Sequence, residues 1–144
     1  MYSKFGQFIN GKWLEAEKKE TYEVINPATE EIIGNASKAS SLDVQKALKS
    51  AHQGLEIWKN TDPWKRSNII RRIADLIREK KEVLAKWMAI ENGKPLLEGV
   101  AEANGSADIF EWNSEETKRI FGQTVESRNK TVSYTHLTLP TTGI

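Results

Sequence analysis

The stretch Glu91-Asn92-Gly93-Lys94-Pro95 separates two long segments that have helical periodicity. Gly93 can adopt the left-handed conformation that ends a helix, and Pro95 cannot continue the helix before it. The segment upstream begins at Asp62-Pro63, an N-cap acid followed by proline at the first helical position. The segment downstream predicts a helix from about Leu96 to Phe121. This part of the chain is therefore predicted to be two helices joined by a tight turn.

An additional helix is predicted upstream of Asp62. Ser40 or Ser41 is suited to cap its N-terminus, and Asp43 places an acid in its first turn. Apolar residues at helical spacing define the face of this helix that is predicted to be buried: Val44, Ala47, Leu48, Ala51, Leu55 and Trp58. A similar stripe is predicted to be the core face after Asp62: Ile70, Ile73, Ala74, Ile77, Leu84, Trp87 and Met88. Three long helices are expected in all.

Two β-hairpins are predicted before the helices. Asn10-Gly11 is a strong signal for a two-residue hairpin turn, because both residues tolerate positive φ. Residues 21–25 alternate and are rich in β-branched side chains, residues 26–29 read Asn-Pro-Ala-Thr, and residues 32–34 return as a partner strand. The N-terminal part therefore predicts small antiparallel sheets.

The third predicted helix begins with an unusual run of small and polar residues between positions 101 and 108. One interpretation is a close crossing with another helix, where small side chains let two backbones approach. The other is a helix that borders a polar cavity, in which case Asp108 is the acid of interest. Glu115 lies four residues before Arg119 and predicts an ordinary exposed ion pair.

Composition restricts the classes of function. The 144 residues include 21 basic and 20 acidic side chains, so the net charge of +1 gives no reason to expect a nucleic-acid or membrane partner. The chain has no cysteine, which excludes disulfides and thiolate metal sites and agrees with a cytoplasmic location. His52 and His136 fit no metal or triad pattern.

Several motifs together resemble one enzyme family. They are the run from Arg66 to Ile77, the 91–95 stop, Pro95-Leu96-Leu97-Glu98-Gly99, the run from Glu115 to Gly122 and the Asn-Pro turn after Ile25. Residues 7–128 resemble the N-terminal part of the NAD(P)-dependent aldehyde dehydrogenase superfamily, and most resemble its succinate-semialdehyde dehydrogenase group. The resemblance implies an α/β fold in which N-terminal β-hairpins and three long helices pack on a Rossmann-like cofactor-binding domain.

The resemblance also implies a chemistry. Family members oxidise a small-molecule aldehyde to a carboxylic acid with NAD or NADP, using a cysteine thiolate as nucleophile and a glutamate to activate water. Neither that nucleophile nor a glycine-rich cofactor loop is present here, so no catalytic and no cofactor-binding residue is assigned. The chain is expected to be an inactive, truncated piece of an oxidoreductase that forms homo-oligomers, with succinate semialdehyde as the candidate substrate.

A structural monovalent-cation site is also implied by the resemblance. It uses a backbone carbonyl before the Asn-Pro turn and an acid just before the 91–95 stop, which correspond here to Ile25 and Glu91. Oxygen ligands of this kind suit a hard cation. A further ligand would come from sequence outside this chain.

The last residues differ in character from the rest. Residues 132–144 closely resemble a recurrent translated adapter or vector sequence, so we interpret residues 1–131 as the N-terminal part of the aldehyde dehydrogenase fold and 132–144 as a non-native tail. The alternative function is a standalone helical interaction module without enzymatic activity. Its contact surface would use partly exposed tryptophans, namely Trp58, Trp64, Trp87 and Trp112.

Overall fold

The computed structural model describes residues 6–121, 123–126 and 133–136. The strands are β1 (Gln7–Ile9), β2 (Lys12–Leu14), β3 (Thr21–Ile25), β4 (Ile32–Ser37), β5 (Gln123–Glu126) and β6 (Ser133–His136). The helices are α1 (Ser41–Lys59), α2 (Pro63–Glu79), α3 (Lys81–Asn92) and α4 (Leu96–Glu116), and a 3-10 turn follows at Thr117–Arg119. The described strands form three separate two-stranded antiparallel sheets.

The first predicted hairpin is confirmed. Asn10 and Gly11 both have positive φ, 53° and 73°, which matches the twist of the strands they join. Ile9 pairs with Lys12 across the turn, and the Phe8 ring lies 5.1 Å from the Trp13 ring. The turn residues therefore set the register that brings the two aromatic side chains together.

The second predicted hairpin is confirmed as well. β3 pairs with β4, and the register shifts between Val24 and Ile25. The Asn26 side-chain oxygen accepts a hydrogen bond from the Ala28 backbone N–H at 2.9 Å, and the Asn26 N–H donates to the Glu31 carbonyl, also at 2.9 Å. This Asx turn closes the hairpin by local hydrogen bonding.

β5 and β6 pair with Gln123 opposite His136. β6 lies inside the segment 132–144, for which we predict an adapter-like origin. Alternation of polar and apolar residues is enough to favour a strand, whatever the source of the sequence. The boundary at residue 131 thus stays a prediction.

A buried carboxylate anchors α1 to the chain before it. Ser40, one of the two predicted cap residues, caps the helix and forms a capping box with Asp43. Both Asp43 oxygens also lie 3.2 Å from the Glu17 backbone nitrogen, and Lys46 forms an ion pair with the Glu17 side chain at 2.6 Å. Asp43 is 4% exposed, so one acid satisfies the helix N-terminus and fixes the segment between the two hairpins.

The structure differs from the prediction in the number of helices, because the second predicted helix is divided at Lys80. Lys80 ends α2 and precedes α3, with φ −107° and ψ 10°. No glycine or proline occurs there, so the sequence carries no signal for the break. α2 and α3 both pack against α4 and contact each other little, which indicates that packing overrides local helix propensity at this point.

Small residues form the contact surface of α4. Gly99, Ala103 and Ala107 are buried, and they face helices whose own fully buried residues include Ala74 of α2 and Ala85 of α3. A β-carbon added to Gly99 would lie 3.0 Å from the Ala85 carbonyl oxygen. The run of small residues is therefore explained by a close helix crossing, the first of the two interpretations.

The predicted large core residues are mostly not buried, which corrects the sequence analysis. On α1, Leu48 is 65% and Leu55 is 55% exposed, because the only described element that packs to any extent on α1 is the short strand β1. Within the described residues, every buried apolar side chain is an alanine: Ala16, Ala74, Ala85, Ala103 and Ala107.

Among the described residues, no helix has the length and apolar content needed to cross a membrane.

Two glycines of α4 should respond in opposite ways to alanine. Gly105 has open space around an added β-carbon, so G105A should stabilise the chain by about 1 kcal/mol through helix propensity. G99A should destabilise it by about 1–3 kcal/mol, because the α3 backbone must move away. Urea unfolding followed by circular dichroism measures both. Equal effects of the two substitutions would contradict the close crossing.

The Asp43 anchor should make stability depend on pH. Hydrogen bonds from the Ser40 backbone and side chain lower the pKa of Asp43 in the folded chain. The contribution of Asp43 to the stability of the fold is thus fully present above the ordinary aspartate pKa of about 3.9. It is lost as pH falls through the lowered pKa that Asp43 has in the folded chain. D43N should unfold earlier than the parent at neutral pH, and the difference should vanish in strong acid. E23Q, at an exposed strand position, is the control and should not change the pH profile.

Candidate functional site

The Asn-Pro turn and the helix stop lie against each other. Gly93 ends α3 in the left-handed conformation, with φ 66°, as predicted. A β-carbon placed on Gly93 would lie 3.1 Å from Pro27 Cγ and 3.3 Å from the Ala28 nitrogen. Glycine is required here for both reasons, positive φ and close approach. The fold therefore joins two motifs that are far apart in the sequence.

This contact places the two predicted cation ligands on neighbouring segments. Ile25 ends β3 at the register shift, and Glu91 lies in the last turn of α3 with its side chain exposed. Within the described residues, Glu91 forms no ion pair. No group of three or more histidine, cysteine, aspartate or glutamate side chains suited to a metal occurs in that part of the chain either. One carbonyl and one carboxylate are what these segments offer, and their role as ligands stays a prediction.

A network of charges joins α2 to α4. The Arg78 guanidinium lies 2.7 Å from the Asp108 carboxylate and 2.5 Å from that of Glu111. Arg71 lies 2.9 Å from Glu111 and 3.8 Å from Glu115. Hydrogen bonds to Asp108 and then to Glu111 raise the pKa of Arg78 further above its ordinary value. Arg71 and Arg78 of α2 therefore bind carboxylates of α4.

The second interpretation of the small-residue run placed Asp108 at a polar cavity. Its side chain is 70% exposed, pairs with Arg78 and lines only an open depression. The predicted ion pair between Glu115 and Arg119 is wrong. Arg119 forms its ion pair with Glu116, at 3.2 Å, and Glu115 pairs with Lys118 at 2.9 Å. Both pairs join residues three apart in the sequence, so the 3-10 turn after α4 favours i,i+3 partners over the predicted i,i+4 partner.

A shallow depression of about 490 Å³ lies beside the contact between α2 and α4. Its lining residues are Arg71, Asp108, Glu111, Trp112, Glu115, Glu116 and Arg119. A hydrogen bond from Lys118, followed by the charges of Lys118 and Arg71, lowers the pKa of Glu115. A carboxylate stabilised in its charged form is a poor proton acceptor near neutral pH. Glu115 is therefore poorly suited to act as a general base, and His52 lies elsewhere, exposed on α1.

Sequence reasoning missed the Asp43 anchor and the role of Arg71 and Arg78. Asp43 was identified only as an acid in the first turn of α1, although its closest long-range partner is the Glu17 backbone. The Ser40-to-Asp43 capping spacing was the available signal for the cap. No local signal identifies the contacts with Glu17 or across the α2–α4 seam.

Comparison with known proteins identifies the class to which this arrangement belongs. The model of the aldehyde dehydrogenase family matches residues 13–142. The chain belongs to the aldehyde dehydrogenase family. The match extends into the segment 132–144.

Several curated relatives are semialdehyde dehydrogenases. The chain is 39% identical over 118 residues to glutarate-semialdehyde dehydrogenase of Pseudomonas aeruginosa, which covers 82% of this chain and 24% of that protein. It is 36% identical over 117 residues to an NADP(+)-dependent succinate-semialdehyde dehydrogenase of Escherichia coli, covering 81% and 24%. The chain thus spans about a quarter of the length of these relatives.

Solved structures share the fold. A betaine aldehyde dehydrogenase variant from Staphylococcus aureus, in complex with NAD+, matches with a TM-score of 0.82 and 28% identity, over 86% of this chain and 26% of that one. An NADP-dependent enzyme from E. coli matches with a TM-score of 0.80 and 35% identity, over 84% and 25%. The hairpins and helices described above therefore correspond to part of an aldehyde dehydrogenase with a Rossmann-like architecture.

Proposed function

We propose that this chain is the N-terminal segment of an oxidoreductase that oxidises an aldehyde to its carboxylic acid with NAD or NADP. The observation that carries the proposal is the 39% identity over 118 residues to a glutarate-semialdehyde dehydrogenase. The packing of Gly93 on Pro27 and Ala28 supports it, because both motifs of the family resemblance take part in one tertiary contact.

The described residues do not fit a dinucleotide site. Such sites use a glycine-rich loop and a helix N-terminus that receives the phosphates. The N-terminus of α1 is already occupied by the Asp43 carboxylate, and the first turn of α4 carries Glu98. Both acids would repel a phosphate. We therefore assign cofactor binding, and the thiolate chemistry that a chain without cysteine cannot supply, to the rest of the full-length protein.

The function of this segment is then structural within the enzyme. Its helices expose large apolar side chains, among them Leu97 at 83% and Trp112 at 71%. Large apolar side chains exposed in such number are typical of a contact face. The same exposure suits the alternative, a standalone interaction module, but membership of the aldehyde dehydrogenase family favours packing against the cofactor domain of the enzyme.

A semialdehyde is the substrate class we propose for the full-length protein, with succinate semialdehyde as the candidate. The curated relatives named above act on semialdehydes by name. A substrate with a terminal carboxylate calls for an arginine or for neutral hydrogen-bond donors in the pocket. Arg71, Arg78 and Arg119 are already paired with acids, so we assign the binding of the substrate carboxylate to the rest of the full-length protein.

Activity measurements test this assignment at two levels. The purified 144-residue chain should not reduce NAD or NADP in the presence of an aldehyde, whereas the full-length protein should do so. In the full-length protein, kcat/KM should be higher for succinate semialdehyde than for an uncharged aldehyde of similar length. The opposite preference would overturn the substrate class and leave the family unchanged. Turnover by the chain alone would overturn the structural role.

We also propose that Ile25 and Glu91 contribute a carbonyl and a carboxylate to a structural monovalent-cation site in the full-length protein. The proposal is supported by the contact between the segments that carry them. A charged carboxylate on an exposed helix end can bind a hard cation at low cost in desolvation.

Thermal unfolding in different salts tests the cation site. At constant ionic strength, the full-length protein should melt at a higher temperature in sodium or potassium chloride than in tetramethylammonium chloride, whose cation is too large for oxygen ligation. E91Q should abolish that difference, because the carboxamide carries no charge. E82Q, which removes an exposed acid from the same helix, is the matched control and should retain it. A cation effect that survives E91Q would contradict the site.

A further inference from the structure

The sequence contains three Asn-Gly dipeptides, and the fold places each in a different conformation. Asn10-Gly11 forms the tip of the first hairpin, Asn92-Gly93 ends α3, and Asn104-Gly105 lies inside α4. The local covalent structure is the same at all three. Any difference in their chemistry therefore comes from the fold.

We propose that Asn10 is a site of spontaneous deamidation and isoaspartate formation, and that the fold protects Asn92 and Asn104. The Gly11 amide nitrogen loses its proton and attacks Cγ of Asn10, forming an N–Cγ bond. The bond from Cγ to Nδ2 then breaks, and Nδ2 leaves as ammonia after taking up a proton. Water opens the resulting succinimide at either carbonyl, which gives aspartate or isoaspartate.

The hairpin tip gives this reaction room. Asn10 and Gly11 are both exposed, and no atom lies within 4 Å of a β-carbon built on Gly11. β1 and β2 have three residues each and form a sheet of only two strands. A two-stranded hairpin of this length opens readily, so Asn10 can reach the ψ angle that ring closure needs.

Nearby lysines favour the reaction electrostatically. Asn10 shares a cleft of about 270 Å³ with Lys12, Lys46 and Lys49. Lys46 is paired with Glu17, while Lys12 and Lys49 form no ion pair with the described residues. Both the attacking nitrogen and the tetrahedral oxygen carry negative charge during ring closure, and neighbouring cations stabilise such charge.

The other two sites lack this freedom. The backbone of Gly105 continues the helical hydrogen-bond ladder between the buried residues Ala103 and Ala107, so ring closure at Asn104 requires the core of α4 to open. Gly93 lies so close to the second hairpin that a β-carbon built on it would be 3.1–3.3 Å from atoms of Pro27 and Ala28. Ring closure at Asn92 therefore requires separation of α3 from the second hairpin.

The product changes the hairpin itself. Isoaspartate adds one methylene to the backbone, and a two-residue turn cannot accept a longer path without a new register. The pairing of Phe8 with Trp13 is then lost. Either product also places a carboxylate beside the three lysines of the cleft.

Peptide mapping by mass spectrometry after incubation at mildly alkaline pH tests the proposal on the complete chain. In native buffer, Asn10 should deamidate at least about tenfold faster than Asn92 or Asn104, since local opening of the hairpin costs less free energy than opening of the helices. Labelling with protein isoaspartate methyltransferase should locate isoaspartate at position 10. In concentrated urea, the three sites should react at similar rates.

The outcomes distinguish an effect of the fold on the deamidation rate from an effect of the local sequence. Native rates that are equal at the three sites, or an Asn10 that is stable when the unfolded chain is fully converted, would overturn the proposal. K49Q should slow the reaction at Asn10 and leave the rate at Asn92 unchanged. K65Q, on α2, is the control for a general loss of charge and should change neither rate. Equal slowing by both variants would overturn the contribution of the lysine cleft.

Discussion

The close approach of α4 to α2 and α3 is the constraint on which the rest of the described structure depends. It is possible because Gly99, Ala103 and Ala107 present almost no side chain at the crossing. Bringing α3 this close also fixes the direction of its C-terminus, and hence the contact of Gly93 with the Asn-Pro turn. A helix with larger residues on this face would move α3 outward and separate the segments that carry Ile25 and Glu91.

Charge pairs then determine how α2 lies along α4. Arg71 and Arg78 are seven residues apart on α2 and both bind Glu111, so the two arginines fix the register between the helices. These side chains are partly exposed, and solvent weakens ion pairs of this kind. Their effect is therefore on alignment more than on total stability.

The sequence predicted the features that are set by local chemistry and missed those that are set by contacts between distant segments. The Asn10-Gly11 turn, the Ser40 and Asp62 caps and the Gly93 stop follow from the conformational preferences of a few adjacent residues. The break at Lys80 and the partners of Asp43 and Asp108 depend on packing, which periodicity does not describe. For the candidate cation site, only the family resemblance identified Ile25 and Glu91, because no spacing rule connects a hairpin turn to a helix end.

The burial pattern is also the strongest physical argument for a larger enzyme. Burial of apolar surface contributes roughly 25 cal/mol per Å², so the alanines buried here contribute little compared with leucine or tryptophan side chains of the same helices. The periodic stripe on α1 has the pattern of a core face, yet Leu48 and Leu55 on it are more than half exposed. Such a face is stabilising only when another surface covers it. The relatives named above match this chain over only about a quarter of their own length. Their remaining sequence can supply the surface that covers the apolar face of α1.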